Sequence, residues 1–410
     1  MNYGFFRVAS ISPSLSVADC DFNSKQIIEL VKKAQDKKIK LLVFPELSIC
    51  AYTCADLFAQ KMLQEECYLA LKNICAETKN CNVLFCVGLP VELDSERFNC
   101  AAFVYKGKIL ALIPKSFIPN YSEFYESRWF TSFSENTVKQ ISLCKGLEDI
   151  PFGTDIFIQD ENDSSIKISA ELCEDLWVPF SPSTRHALNG ATIIANLSAS
   201  NEVAGKAEYR RMLVAGHSAK TVSAYIYANA SHDESSTDMI FSGHNIIAAN
   251  GAIKAESALF ENTQEFLIAD IDLEKLTQDR IKSTTFSRST SFAKSEYKTI
   301  FVSGLQQEHF AENIDEQLYE KIALHPFVPS DIQKRKERCF SIIEMQSEGL
   351  AKRLRHIHAQ GAVIGLSGGL DSTLALLVCA RAFDKCNISR EKIFSITMPA
   401  FGTPDRTFNN

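Results

Sequence analysis

The chain has 410 residues, of which 46% are hydrophobic and 23% charged, and its formal net charge is −7. This length predicts two or three domains, and the composition is typical of a water-soluble globular protein. The negative charge argues against nucleic acid or an anionic membrane as a partner. No run of about 18 apolar residues and no secretory leader pattern is found, so we expect a cytoplasmic protein without a membrane span.

Thirteen cysteines are scattered mostly inside apolar segments. This distribution is typical of small hydrophobic side chains in a reducing compartment rather than of a disulfide framework. There is no pair of Cys-x-x-Cys motifs, and the eight histidines do not combine with cysteines at zinc-binding spacing. A structural metal site is therefore not expected.

Strand and helix signals alternate from residue 1 to about residue 275. Apolar residues in short runs or at alternate positions predict strands, and apolar residues three and four apart predict helices. Two short turns, at Lys106-Gly107-Lys108 and Asn250-Gly251, indicate hairpins. The pattern predicts an α/β domain with many strands, some of them antiparallel. The predicted strands are 5–11, 40–44, 83–90, 99–105, 109–114, 166–170, 192–196, 225–230, 244–248 and 252–255, and the predicted helices are 23–38, 57–78, 183–188 and 207–221.

A second, shorter region follows. Residues 276–335 are rich in Ser, Thr, Lys and Gln, and we predict a linker with some helix there. From residue 336, a long helical pattern leads into a predicted strand at 362–366, followed by helix 374–383 and strand 392–398. Two strands are too few to close a core. Residues 336–410 are therefore interpreted as the first part of an incomplete domain.

Three reactive side chains follow apolar strands in the first region. Glu46 and Lys115 each come after a strand and a proline, and Cys173 follows strand 166–170. Strand ends are where α/β sheets hold their ligands, so we expect these side chains to meet. Together they provide a base, a cation and a nucleophile.

These residue types suit attack on a carbonyl carbon. A free thiol is only a few per cent thiolate at neutral pH, so Cys173 needs a base, and Glu46 can accept its proton. The ammonium of Lys115 and the backbone N–H of Glu174 can stabilise the tetrahedral oxyanion. Glu46 can then return the proton to the leaving amine. The predicted reaction is amide hydrolysis through a thioester.

The surrounding motifs resemble a known family. Phe44-Pro45-Glu46, Pro114-Lys115 and Glu171-Leu172-Cys173-Glu174 are similar, in order and spacing, to the Glu-Lys-Cys triad of the nitrilase (carbon–nitrogen hydrolase) superfamily. Residues 119–128 and 196–201 resemble the glutaminase domain of glutamine-dependent NAD synthetases. The resemblance implies a nitrilase-like four-layer αββα sandwich over residues 1–275 that hydrolyses glutamine to glutamate and ammonia.

The resemblance also implies a substrate pocket. Contacts with glutamine are expected from Tyr121, Ser200 and Lys206. The same pocket is expected to include Glu174, Tyr52 and Phe124. Alternatively, Tyr52 and Phe124 are core aromatics and Ser200 is an ordinary turn serine. The superfamily usually has a further catalytic carboxylate; Glu123 fits this role better than Glu126, but the sequence does not separate the two.

A glycine loop, Ser367-Gly-Gly-Leu-Asp-Ser-Thr373, lies between a predicted strand and a predicted helix. In this context backbone amides hold phosphate, and hydroxyl groups add donors. The Gly-Lys pair of a Walker A loop is missing, and a plain strand–helix turn is the alternative interpretation. The string resembles the pyrophosphate loop of ATP pyrophosphatases, and residues 398–407 resemble the next strand-loop of NAD synthetases.

This second resemblance implies that residues 336–410 begin a Rossmann-like ATP pyrophosphatase domain. Asp371 would bind Mg²⁺, because hard cations prefer carboxylate oxygen. The implied reaction transfers ammonia from glutamine, through the protein interior, to deamido-NAD that ATP has adenylated, and releases AMP and pyrophosphate. A large homo-oligomer, an octamer, is also implied. The residues expected to bind ATP are Leu366, Ser367, Gly368, Gly369, Leu370, Asp371, Ser372 and Thr373.

Two other functions remain open at this point. One is a stand-alone amidase or nitrilase whose C-terminal segment has no function, and preference for glutamine over simple aliphatic amides would argue against it. The other is a non-catalytic nucleotide-binding or scaffolding protein that has kept the fold. Labelling of Cys173 by a thiol-directed electrophile would argue against the second.

Overall fold

The computed structural model describes residues 4–134, 137–261, 265–306, 318–320 and 322–398. It divides into a first unit, Met1–Lys321, and a second unit, Ile322–Asn410. The strands of the first unit are β1 (Phe5–Ser10), β2 (Leu41–Val43), β3 (Leu84–Leu93), β4 (Glu96–Tyr105), β5 (Lys108–Pro114), β6 (Lys139–Ile141), β7 (Ile150–Phe152), β8 (Ile156–Asp160), β9 (Lys167–Leu172), β10 (Ile193–Ser198), β11 (Ala224–Asn229), β12 (Ile246–Ala249), β13 (Ala252–Glu256), β14 (Leu267–Asp272) and β15 (Lys298–Val302). Its helices are α1 (Cys20–Asp36), α2 (Lys61–Glu77), α3 (Pro182–Leu188), α4 (Lys206–Thr221), α5 (Leu273–Lys282) and α6 (Thr284–Ser289).

Two sheets form the centre of the first unit. The first has eight strands in the order β14-β1-β2-β3-β4-β5-β7-β6, and the second has seven in the order β13-β12-β11-β10-β9-β8-β15. Val8 of β1 and Ile168 of β9 belong to one buried cluster that draws residues from both sheets. Because successive side chains of a strand point to opposite faces, the neighbouring residues pack on the outer faces.

Helices cover both outer faces. Ile27 of α1 and Leu71 of α2 share a buried cluster with Phe85 of the first sheet. Val214 of α4 packs in another cluster with Tyr225 of the second sheet. The layer order is therefore helix, sheet, sheet, helix, and the predicted four-layer αββα sandwich is confirmed.

The strand directions bring the predicted reactive residues to one edge. In the first sheet β1, β2 and β3 are parallel, and in the second sheet β9, β10 and β11 are parallel. Strands β3, β4 and β5 form an antiparallel meander. Residues that follow β2, β5, β9 and β10 can therefore meet, although they come from two different sheets.

Part of the predicted linker belongs to the first unit, which corrects the prediction for residues 276–335. Strand β15 pairs in parallel with β8, with Lys298 opposite Ile156. The sequence did not predict this short edge strand because the residues around it are rich in Ser, Thr and Lys. One of its faces is partly exposed: Val302 is buried, whereas Phe301 is 57% exposed. Strands β6, β7, β8 and β14 were also not predicted. The first three have only three to five residues, which is too short for a clear pattern.

The second unit contains α7 (Ile332–His356), β16 (Ala362–Gly365), α8 (Leu370–Cys386) and β17 (Ile393–Ile396). Strands β16 and β17 are parallel, and α8 connects them. This β-α-β arrangement is the one expected at the start of a Rossmann-like domain. The resemblance over residues 398–407 lies, beyond Met398, outside the described residues. Within the described ranges, none of the helices has both the length and the apolar character needed to cross a bilayer.

Candidate active site

Cys173 lies in a strained turn at the end of β9. Its φ of 42° is in the left-handed region, which residues other than glycine rarely adopt. It opens a single 3-10 turn, Cys173–Leu176, and is only 4% exposed. The backbone N–H of Leu172 donates to Oδ2 of Asp175 at 3.0 Å, which closes the turn on itself. A tight turn directly after a strand places the thiol at the edge of the sheet.

Glu46 and Lys115 form a buried ion pair beside this edge. Lys115 Nζ donates to Glu46 Oε1 at 2.6 Å, and both side chains are 0% exposed. Glu46 Oε1 also accepts from Asn99 Nδ2 at 2.7 Å, and its Oε2 accepts from the backbone N–H of Ala199 at 2.9 Å. These donors come from β4, β5 and the end of β10. The carboxylate is therefore held by both sheets.

A second buried carboxylate binds the same cation. Lys115 Nζ donates to both oxygens of Glu126 at 2.9 Å, and the hydroxyl of Tyr52 donates to Glu126 Oε1 at 2.6 Å. Glu123 instead accepts from Asn201 Nδ2 at 2.6 Å. The preference for Glu123 is thus corrected: the chain turns back at Glu126, whose N–H donates to the carbonyl of Pro119, and this turn brings Glu126 to Lys115.

Burial and charge set the protonation of this cluster. Burial raises the pKa of the Cys173 thiol far above its usual value, Glu46 adds to the rise, and Lys115 opposes it. Burial also raises the pKa of Glu126 to about 7, against the pull of Lys115. For Lys115, burial disfavours the charge, but Glu126 and Glu46 more than offset it, so its pKa lies well above the usual value. The resting state is a neutral thiol beside a fixed ammonium.

Charged and aromatic side chains of the predicted pocket lie next to this cluster. The hydroxyl of Tyr121 donates to Glu174 Oε1 and Oε2 at 3.0 Å each, and burial raises the pKa of Glu174. The ammonium of Lys206 lies 5.3 Å from the ring centre of Phe124 and 5.6 Å from that of Trp177. Such rings stabilise a cation that is partly withdrawn from water. A carboxylate and an ammonium, both partly buried, thus lie near each other beside the cluster.

Ser200 is held by three hydrogen bonds with two residues, Asn229 and Arg210. Its backbone N–H donates to Asn229 Oδ1 at 2.8 Å, and Asn229 Nδ2 donates back to its carbonyl at 3.0 Å. Its hydroxyl oxygen accepts from Arg210, a fully buried side chain, at 3.2 Å. These bonds fix the position of Ser200, and its part in the pocket stays a prediction.

Several side chains that hold the site had not been identified from the sequence. Asn99 binds Glu46, and Glu234 accepts the N–H groups of Tyr52 and Thr53 at 2.8 and 2.9 Å. A polar residue inside an apolar strand was the available signal for Asn99. No pattern in the sequence pointed to Glu234, because the residues it binds lie about 180 positions earlier in the chain. Trp177, Arg210 and Asn229 were likewise not assigned to the site.

The glycine loop of the second unit precedes α8. Gly368 has a φ of +75°, and Ser367 and Ser372 lie in hydrogen-bonding contact through their Oγ atoms at 3.2 Å. Asp371 lies in the first turn of the helix, where backbone N–H groups favour a bound anion. In the described residues, no three or more His, Cys, Asp or Glu side chains are grouped to hold a metal ion. Asp371 is the residue of this loop that could bind a metal ion, since hard cations prefer carboxylate oxygen.

Two family models match the chain. Residues 7–281 match the family described as carbon-nitrogen hydrolase, and residues 342–409 match NAD synthase. Over 408 residues the chain is 33% identical to the glutamine-dependent NAD(+) synthetase of Mycobacterium tuberculosis (strain ATCC 25618 / H37Rv), covering all of this chain and 59% of the relative. It is 26% identical to the enzyme of the same name from Homo sapiens, covering 93% of this chain and 53% of the relative.

Solved structures have the same fold. The glutamine-dependent NAD(+) synthetase from Cytophaga hutchinsonii matches with a TM-score of 0.58 and 22% identity, over 98% of this chain and 62% of that one. An amidase from Nesterenkonia sp. matches with a TM-score of 0.53 and 18% identity, over 68% and 95%. The chain thus spans less than two thirds of the synthetases it matches and nearly the whole of the amidase. Because the carbon–nitrogen hydrolase match extends over residues 7–281, the chain belongs to the carbon–nitrogen hydrolase family.

Proposed function

We propose that the first unit hydrolyses glutamine to glutamate and ammonia through a thioester on Cys173. The observation that carries this proposal is the buried ammonium of Lys115, held between Glu46 and Glu126 and close enough to Cys173 to oppose the rise in the pKa of its thiol. A buried cation with two carboxylates has little value for stability. It has a clear use beside a nucleophile, because it can stabilise an oxyanion in a dry site.

The first half of the reaction forms the thioester. Cys173 Sγ attacks the side-chain amide carbon of glutamine while Glu46 accepts the thiol proton. The negative charge that develops on the amide oxygen is stabilised by Lys115 Nζ and the backbone N–H of Glu174. Glu46 then gives the proton to the leaving nitrogen as the carbon–nitrogen bond breaks, and ammonia departs.

The second half returns the enzyme to its starting state. Glu46 accepts a proton from water, and the oxygen of that water attacks the thioester carbon. The same two donors stabilise the second oxyanion, and glutamate leaves as the carbon–sulfur bond breaks and the thiol regains its proton. This scheme assigns no proton transfer to Glu126. Its role is to keep Lys115 charged and in place, together with Tyr52.

The pocket supports glutamine over a simple amide. Glutamine carries an ammonium and a carboxylate at the end remote from its amide, and the pocket offers Glu174 and Lys206, which have opposite charges. Ser200 adds a hydroxyl donor for the carboxylate, and Tyr121 completes the wall next to Glu174. An aliphatic amide has no charged group to pair with Glu174 or Lys206, so it would lack this part of the binding free energy.

We infer further that the ammonia serves an ATP-dependent amidation of deamido-NAD that yields NAD, AMP and pyrophosphate. The match of residues 342–409 to NAD synthase and the names of the curated relatives support this inference. Residues 366–373 would bind the phosphates of ATP through backbone N–H groups and hydroxyls. Bound Mg²⁺, with Asp371 as a ligand, would neutralise phosphate charge. The octamer and the cytoplasmic location stay predictions.

Glutamate release from glutamine tests the first proposal. Cys173→Ala should abolish it, whereas Cys339→Ala, which removes an exposed thiol, should not. Wild type should prefer glutamine to butyramide in kcat/KM by at least about 100-fold, since the aliphatic amide forms no ion pair with the charged pocket groups. Equal use of both amides would favour the stand-alone amidase. No labelling of Cys173 by iodoacetamide would favour a non-catalytic protein.

NAD formation from deamido-NAD and ATP tests the second proposal. With glutamine as the nitrogen source, Cys173→Ala should form no NAD, and with ammonium chloride it should form as much as wild type. Glutamate release without NAD formation from either nitrogen source would limit the activity of this chain to the first unit.

A further inference from the structure

We propose that Asp175 is a positioning residue that holds the Cys173 turn against the loop that follows Lys115. Its carboxyl group is 1% exposed and binds two separate segments. Oδ1 accepts the backbone N–H of Phe117 at 2.9 Å and that of Ser116 at 3.1 Å. Oδ2 accepts the backbone N–H of Leu172 at 3.0 Å. One side chain therefore joins the residues next to the cation to the residue next to the nucleophile. The inference rests on the amide hydrolysis proposed above.

This bridge matters because the two segments belong to different sheets. Strand β5, which leads to Lys115, lies in the first sheet, and β9, which leads to Cys173, lies in the second. No β-ladder joins them, and the apolar cluster between the sheets supplies contacts without direction. Hydrogen bonds to a carboxylate are directional and stronger than those between neutral groups. Asp175 is thus a second directional link between the sheets, beside the Glu46 carboxylate that joins Lys115 to Ala199, and it is the one that holds the Cys173 turn itself.

One side of the bridge persists in both protonation states of Asp175. Burial and Glu171 raise the pKa of Asp175 to about 8, whereas the N–H groups of Leu172 and Phe117 and the charge of Lys115 oppose the rise. A protonated carboxyl group still has a carbonyl oxygen that can accept the two N–H groups of the Lys115 loop. An asparagine side chain keeps one such oxygen, but its NH₂ group cannot accept from Leu172.

This difference gives a graded test. Asp175→Asn keeps one side of the bridge, and Asp175→Ala removes both sides. In glutamate release, we expect kcat to fall about tenfold in Asp175→Asn and about 100-fold in Asp175→Ala, because displacing a reacting group by about 1 Å can cost 100-fold. KM should change less than about threefold in Asp175→Asn, since Lys206 and Ser200 do not bind Asp175.

Asp160 provides a matched control. It is 0% exposed and also accepts three backbone N–H groups from two segments, those of Asn162 at 2.9 Å, Asp163 at 3.1 Å and Leu305 at 2.9 Å. It is the last residue of β8 and lies beside the start of β9, at the opposite end of that strand from Cys173. Asp160→Asn and Asp160→Ala should lower thermal stability as much as the changes at Asp175, because they break the same number of buried hydrogen bonds. They should leave kcat within about twofold of wild type.

Amide hydrogen exchange measures the bridge directly. In Asp175→Asn, the amide of Leu172 or those of Ser116 and Phe117 should exchange at least about tenfold faster than in wild type, because a lost hydrogen bond exposes them to local opening. In Asp175→Ala all three should do so. If Asp175→Ala does not fold, Asp175→Asn alone carries the comparison with Asp160→Asn.

Two results would overturn the proposal: wild-type kcat and exchange in the Asp175 variants, or an equal loss of kcat in the Asp160 variants. A wild-type chain without glutamate release would refute the proposed function instead. Exchange at Leu172, Ser116 and Phe117, together with the rate of Cys173 alkylation by iodoacetamide, would then still decide the role of Asp175. Both quantities are independent of any amide substrate.

Discussion

The two units of the chain hold their functional groups in opposite ways. In the first unit, Glu46 and Lys115 are fully buried and hydrogen-bonded to each other and to neighbouring strands. In the second, the glycine loop and the start of α8 are exposed. Leu370 is 90% exposed, and Ser367 and Ser372 contact each other at the surface. Buried charges need partners within the protein. The fold itself therefore supplies the partners of the first pair, whereas the hydroxyl groups of the second loop are open to solvent.

The first site is also surrounded by more extensive packing than the second. The proposed active site lies between two large buried clusters that include most strands of both sheets. In the part of the second unit that the structure describes, the core is a cluster of five buried side chains from α7 and α8, surrounded by partly buried residues: Ala351, Leu354, Cys379, Ala382 and Phe383. Changes at the first site should therefore alter both activity and stability. Changes at the second should mainly alter ligand binding.

The largest effect is expected from Lys115→Met. Removing the cation should lower kcat for glutamate release by about 1,000-fold, because an oxyanion donor is lost. It should also lower the free energy of unfolding by about 3–5 kcal/mol, since two buried carboxylates lose their partner. Assays of glutamate release and urea unfolding would measure these changes. Lys61→Met, at an exposed lysine, is the control, and an active, stable Lys115→Met variant would contradict the proposed role.

A comparison of Glu126→Gln with Glu123→Gln tests which carboxylate serves Lys115. We expect a fall in kcat of about 100-fold for Glu126→Gln, because a neutral amide cannot balance the buried ammonium. Glu123→Gln should change kcat less than about threefold, since that side chain binds Asn201. Steady-state kinetics with glutamine separates the two variants. The reverse order of effects would restore the assignment from the sequence.

The pH dependence of stability gives an independent test of Glu126. Its pKa is raised from the ordinary 4.5 to about 7, so between these values the folded state binds more protons than the unfolded state. Stability then falls as pH rises through this range. Glu126→Gln does not titrate, so its stability relative to wild type should grow from about pH 5 to about pH 8, by at most about 3 kcal/mol. Urea unfolding at several pH values measures this, and parallel curves would contradict it.

The smallest effect is expected in the second unit, from Gly368→Ala. The φ of +75° at this position is strained for any residue with a Cβ atom, at a cost of about 1–2 kcal/mol. ATP with Mg²⁺ should therefore bind about tenfold more weakly in calorimetry, while glutamate release in the absence of ATP stays unchanged. Gly349→Ala is a matched control, because a Cβ atom there meets nothing within 4 Å. Equal ATP affinities in the two variants would argue against a phosphate site in this loop.

Much of this protein was determined by local sequence pattern. The spacing of apolar residues predicted most strands and helices, and a charged or nucleophilic residue after each of three strands predicted that Glu46, Lys115 and Cys173 meet. Glu46 and Lys115 are in contact as expected, because the end of a parallel strand is a fixed place in an α/β sheet. The alternation of strand and helix around the glycine loop was determined in the same way.

The partners that surround these residues depend on the tertiary structure and could not be read from local pattern. Glu126 rather than Glu123 binds Lys115 because a turn between them redirects the chain. Strand β15 enters the second sheet because β8 offers it a free edge, although its own composition is that of a linker. Asp175 joins two sheets through backbone groups that carry no sequence signal. Local pattern determines which residues reach a strand end, whereas distances between sheets depend on loop paths and packing across the whole chain.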